Sequence, residues 1–293
     1  MKQIVFTAAI LLVGICPAIA KDHTAEQQLL DTAQKPADLF QGKADPFDLE
    51  IDFSAQWNVP TRGHFSLNWK SKDQWRSKVE IGGFEQITIQ NGEMQYILRN
   101  LGFTPISIRE LFNLLHFMNS PPHFVATKLK NRAENDVSMS CVQAEREDYR
   151  NDSHEFCLDA ASHELLSDDW QIAPDERARE QFSDYSEFDG IRYPTKLRLF
   201  ENGGSEISAA LISLQNAVFS PGLLVAPKGA IERRHCPGIK SPVAIKQPEP
   251  TPGTHGYSGD STVSMTVLTD GSVDDIHLIS RGGHVIEIPQ WPR

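Results

Sequence analysis

Cysteine is scarce in this chain, with four in 293 residues. Beyond Cys16 only Cys141, Cys157 and Cys236 remain, too few for a disulfide-dense scaffold. None lies near the Cys-x-x-Cys or His-x-x-x-His partner that a structural zinc site needs. Positive charge is in deficit as well: 28 Lys and Arg stand against 39 Asp and Glu, a formal net charge of −11. No run of Lys or Arg offsets that balance, which argues against nucleic acid as a partner. No apolar run reaches the roughly 20 residues of a membrane-spanning helix.

Catalytic motifs are missing too. His163-Glu164 opens like a metalloprotease helix, but Ser167 stands where the second histidine belongs, and His154-Glu155 fails in the same way at Leu158. Both histidines read better as residues at strand ends. Gly256-Tyr257-Ser258-Gly259 lies in a linker rather than at a strand-to-helix turn, and no phosphate-cradling glycine loop occurs. The expectation is a protein that is not an enzyme and has neither cofactor nor metal.

Lys2, the apolar run from Ile4 to Ile15 and Ala18-Ile19-Ala20 match a cleaved export signal over residues 1–20. Export to the periplasm or beyond the cell is therefore expected. Contact with a membrane is compatible with that reading, but after signal cleavage spanning is not. Residues 21–44 read as an N-terminal extension carrying one weakly amphipathic surface helix at Ala25–Ala33.

From Phe47 onward strand signals dominate. Phe47, Leu49, Ile51 and Phe53 alternate with Asp48, Glu50 and Asp52, a half-buried strand whose acids form the solvent face. Further alternating runs stand on both sides of Gly82-Gly83, and Asn91-Gly92 marks a tight hairpin. The period then changes. Residues 105–118 are apolar over much of a helical circumference and stop before Pro121-Pro122. Trp57, Trp69 and Trp75, with Leu111, Leu114, Leu115 and Phe117 from this helix, are the candidate lining of an apolar ligand site. They serve equally well as packed core, because residue type does not distinguish a filled interior from an empty one.

Strands resume at Phe124. Val137–Val142 and His154–Ala160 form a hairpin in which Cys141 and Cys157 are placed to bridge, closing a loop of about 15 residues worth roughly 3 kcal/mol. Asp175–Glu180 reads as a charged connector. Asp189-Gly190 then turns between two more strands, and a last alternating run ends at Leu214. The fold class is α+β: a curved antiparallel sheet, an incomplete barrel, with one inserted apolar helix and a small C-terminal β-hairpin.

This meander with its mid-chain helix, continued by Phe188-Asp189-Gly190-Ile191-Arg192-Tyr193-Pro194 and a strand ending Leu211-Ile212-Ser213-Leu214-Gln215-Asn216, resembles the periplasmic lipoprotein-carrier superfamily typified by LolA and LolB. The resemblance implies a half-barrel domain over residues 45–236 whose helix caps a hydrophobic cavity, and a carrier or binder of an acyl chain or other apolar ligand in the cell envelope. Residues 237–260 form a Pro/Gly linker. Residues 261–293, with two alternating runs about Asp270-Gly271, are similar to the front of the TonB C-terminal domain, and Arg281–Arg293 is too short to complete it. That second resemblance implies an alternative role, an envelope-protein partner met by strand addition through the hairpin.

Overall fold

The computed structural model of the chain describes residues 25–41, 44–56, 59–116, 123–147, 152–173, 176–201, 204–234, 262–267 and 273–280. The expected export signal over residues 1–20, the expected linker over 237–260 and the expected Asp270-Gly271 turn, together with Trp57, Phe117 and Cys236, lie outside the described residues.

Strand β1 (Phe47–Gln56) starts a meander with β2 (Pro60–Ser71), β3 (Gln74–Ile81), β4 (Phe84–Asn91) and β5 (Met94–Arg99). Helix α2 (Ile106–Leu114) comes next, α1 being Ala25–Ala33. A second meander comprises β6 (Phe124–Glu134), β7 (Val137–Arg146), β8 (Ser153–Asp159), β9 (Leu165–Ala173), β10 (Glu176–Phe188), β11 (Ile191–Glu201) and β12 (Gly204–Asn216), and β13 (Ile231–Arg234) closes this part of the chain. All thirteen strands belong to one curved, unclosed sheet ordered β13-β5-β4-β3-β2-β1-β12-β11-β10-β9-β8-β7-β6. The first meander runs from the middle towards one edge. The second begins at the opposite edge and returns to pair β12 with β1.

That order explains the inserted helix. Between β5, one strand from its edge, and β6, at the far edge, the chain must cross the sheet, and α2 makes the crossing against β11 and β12. Its apolar side carries Ile108, Leu111 and Leu114, with Leu115 just beyond, all fully buried. Strand alternation supplies the opposing layer: Phe47, Leu49, Ile51 and Phe53 of β1 are buried, as are Phe65, Leu67 and Trp69 of β2. Each large side chain so buried contributes about 1.5–3 kcal/mol.

Three expectations need correction. The helix is shorter than 105–118: Leu115 caps it and His116 takes a positive φ of 53°, so the chain leaves the helical path there. Asp175–Glu180 is not a connector, because β10 already begins at Glu176 and pairs with β9. A buried carboxylate conceals the alternation there, since Ala178 and Glu180 face the interior while Arg177 and Arg179 face outward. Nor is the segment at Ala25–Ala33 a surface helix: Leu30 and Ala33 of α1, and Leu39 and Phe40 of the 3-10 turn Lys35–Phe40, are part of the same core.

The hairpins form as their turn residues require. Asp189 and Gly190 both have positive φ, 49° and 75°, the backbone that a two-residue hairpin demands. Cys141 and Cys157 are directly opposed on β7 and β8 and are joined by a disulfide. With Met139 they form a small apolar cluster separate from the main core. The strands Thr262–Val267 and Val273–Ser280, β14 and β15, pair as a two-stranded sheet. Among the described residues no helix is long and apolar enough to cross a membrane.

Candidate functional site

One row of directly opposed residues crosses half of the sheet. Phe47 of β1 faces Trp69 of β2, Trp69 faces Trp75 of β3, Trp75 faces Gln90 of β4, Gln90 faces Gln95 of β5, and Gln95 faces Arg233 of β13. Opposed residues of an antiparallel sheet share a face, so the row is a strip graded from apolar at mid-sheet, through amides, to a guanidinium at the edge. Its apolar end is well fixed. Phe47 and Trp69 stack at 6.0 Å, and Phe40 meets Trp69 edge-on at 5.8 Å. Gln95 Nε2 donates to Gln90 Oε1 at 3.3 Å.

A cavity of about 660 Å³ lies along this strip, with Phe40, Trp69 and Trp75 as its aromatic part and Gln90, Gln95 and Arg233 at its polar end. Lys72, Asp73, Glu93 and Arg234 complete the charged rim. Arg234 is held by Glu93, Nη2 to Oε2 at 3.0 Å. Arg233 has no described ionic partner. The volume falls in the range of small-molecule pockets, about 300–1,000 Å³.

A second group of polar residues lies on the covered face towards the other edge. His154 Nδ1 is 2.8 Å from Asp168 Oδ1 and its Nε2 is 3.1 Å from Asp152 Oδ1. Its ring stacks on Trp170 at 5.2 Å and on Phe156 at 5.6 Å. Burial works against the charged imidazole, but the hydrogen bonds and charges of Asp168 and Asp152 outweigh it, and the pKa is raised. Glu180 is opposed to Asp168 across β9 and β10 and has no described hydrogen-bond donor. Burial, then repulsion from Asp168 and Glu110, pushes its carboxyl well above the usual range. At the end of α2, burial lowers the His116 pKa to about 4, with its ring stacked on Phe182. The Tyr193 hydroxyl donates to the Leu115 carbonyl at 3.4 Å, satisfying one of the carbonyls that a helix end leaves open.

The pH consequence has a definite sign. A carboxyl whose pKa is higher in the fold than in the unfolded chain binds its proton more tightly when folded, so stability is greatest below the ordinary value of 4.5 and falls as pH rises through the raised value. His154 acts in the same direction: its ion pairs stabilise fully below 6.5 and are lost as pH rises through the raised value. Glu180→Gln should therefore gain stability progressively above pH 4.5, by up to about 1.4 kcal/mol per pH unit within that window. Thermal melts of both proteins from acid to mildly alkaline pH check this; parallel curves would show that Glu180 carries no buried charge cost.

The residues singled out from sequence divide between these regions. Trp69, Trp75, Leu111, Leu114 and Leu115 are brought into one apolar cluster, and only Trp69 and Trp75 among them line a described cavity. The three leucines fill the layer between helix and sheet. The acids of β1 do face away from the core, and His64 links two of them, Nε2 to Glu50 at 2.6 Å and Nδ1 to Asp52 at 2.8 Å. Arg233 was not legible from sequence, because β13 is only four residues long and comes after a stretch without alternation.

Strip and covered core define an open, curved antiparallel sheet that carries an amphipathic groove. No protein-family model matches the chain, and no curated relative matches it by sequence. Among solved structures it is similar to a LolA superfamily protein from Nitrosomonas europaea, at 11% identity over 67% of this chain and 97% of that one, with a TM-score of 0.46. A DUF1329 family protein from Desulfovibrio piger is similar at 12% identity over 68% of this chain and 96% of that one, with a TM-score of 0.46. The MucA/MucB complex of Pseudomonas aeruginosa is similar at 10% identity over 84% of this chain and 74% of that one, with a TM-score of 0.32.

Proposed function

We propose that this chain is a non-enzymatic binder of a single-chain amphiphile, an acyl chain bearing an anionic head, in the cell envelope. The observation that carries the reading is the graded row from Trp69 and Trp75 through Gln90 and Gln95 to Arg233, with a cavity along it. An alkyl tail in the cavity gains roughly 25 cal/mol per Å² of its own apolar surface removed from water, beside the edges of two indoles that the fold already buries. The amides orient the junction, and the Arg233 guanidinium pairs with the carboxylate or phosphate at the sheet edge. Binding at the edge lets the ligand enter and leave without displacing the packed leucines of α2.

Tryptophan quenching by a brominated fatty acid tests this directly. Saturable quenching is expected, with Arg233→Glu weakening it about tenfold, as loss and reversal of one charge pair predicts. A neutral brominated alkane should bind both proteins alike. Absence of saturable quenching, or equal affinity of both proteins for the acid, would overturn the proposal.

A further inference from the structure

The outward face of the sheet, opposite the Trp69 strip, carries a row of its own. Arg62 of β2 is opposed to Ser54 of β1, Ser54 to Ser208 of β12, and Ser208 to Arg198 of β11. The adjoining residues Phe53, Leu197 and Ala209 are buried, so strand alternation turns the row outward. Two small hydroxyl residues thus stand between two long cations. Adjacent strands lie about 4.8 Å apart, which sets the two arginine backbones about 14 Å from each other. Both arginines line one groove of about 440 Å³, with Ser54, Ser208 and Ala210 between them.

The groove has an excess of positive charge. Its lining sets Arg62, Lys196 and Arg198 against one acid, Asp52. Asp52 Oδ1 is 2.8 Å from His64 Nδ1, and Lys196 Nζ is 2.5 Å from Asp184 Oδ2. Arg62 and Arg198 are exposed, and among the described residues no ion pair joins either to an acid, Glu206 on the same face included. A local excess of cation in a chain of net charge −11 does not follow from composition. Two guanidinium groups on one groove repel each other, and an anion seated between them removes that cost.

We propose that this groove binds a phosphomonoester. Arg62 and Arg198 each donate paired N–H groups to its oxygens, the arrangement for which guanidinium and phosphate are matched. The Ser54 and Ser208 hydroxyls donate from beneath. A carboxylate has only two oxygens to share among two guanidinium forks and two hydroxyls, so the site prefers phosphate. Because the groove and the Trp69 strip lie on opposite faces, occupying one leaves the other open.

A soluble ester and a phospholipid headgroup present the same group, and the test separates them. The full chain is titrated calorimetrically with glycerol 3-phosphate and sedimented with phosphatidylcholine vesicles with and without phosphatidic acid. Saturable binding at one site per chain is expected, weakening with added salt. Arg62→Gln and Arg198→Gln should each weaken it about tenfold, with unchanged melts because both residues are exposed. Lys70→Gln, an equal loss of charge at an exposed residue of β2 outside the groove, should leave it unchanged. Calorimetric binding of glycerol 3-phosphate establishes a site for phosphomonoesters in solution; sedimentation with phosphatidic acid alone, lost in both arginine variants, restricts the site to headgroups. Binding in neither arm, binding indifferent to both arginine variants, or displacement by acetate at equal concentration would each overturn the proposal. So would an equal loss in Lys70→Gln, which would show a response to overall charge.

Discussion

Leu111→Ala should lower the unfolding free energy by about 2–5 kcal/mol. Leu111 is fully buried and shares one cluster with Ile108, Leu114 and the inward residues of β1, β2 and β11. Truncation removes both the transfer energy of the side chain and its close contacts, and the stiff sheet beneath collapses only partly into the space. If the region under α2 were an empty site awaiting a ligand, many of those contacts would already be missing, and the cost would fall below about 1 kcal/mol. The comparison residue is Val218, 99% exposed, whose change to alanine should stay within about 0.5 kcal/mol. Urea denaturation of the two variants distinguishes the cases; equal midpoints would show that the helix covers no packed layer, and ligand binding would have to be sought there rather than beside Trp69.

Gly63→Ala should cost about 1–3 kcal/mol, the usual range for overpacking. Gly63 lies in the interior strand β2 opposite Phe53 of β1 and Ile81 of β3. A Cβ built there would lie 2.4 Å from Phe53 Cζ and 2.6 Å from the Glu80 carbonyl oxygen. The ring can turn aside, whereas the carbonyl belongs to the β2–β3 ladder and moves only with the sheet. Adding Phe53→Leu to Gly63→Ala should therefore restore only part of the loss, as measured by a double-mutant cycle in urea. Complete rescue would show that the ring alone holds the position. At Gly83, where φ is +84° and no atom lies within 4 Å of the added Cβ, alanine meets only backbone strain, about 1–2 kcal/mol.

These variants probe features that differ in how far the sequence disclosed them. Period-two alternation in β1 and β2 was plain because those strands put one face in the core and the other in water. Turn residues placed the hairpins at Asn91-Gly92 and Asp189-Gly190, because few residue pairs adopt the required backbone. The cystine was legible from two cysteines on neighbouring strand signals. In β10 the same reasoning failed, since Glu180 occupies an inward position and makes a buried strand read as a polar connector.

Sequence alone determined the alternating strands β1 and β2, the hairpin turns, where an apolar helix interrupts the strands, and that Cys141 can meet Cys157; all of these depend on neighbours close along the chain. Tertiary structure alone decided that α1 packs on the core, that Glu180 is buried opposite Asp168, that Phe47 and Arg233 end one strip, and that β6 is an edge among the described residues. Each of those depends on strand order. In a sheet that begins at its middle, proceeds to one edge and returns from the other, residues far apart in sequence become opposed through a register that no local pattern specifies.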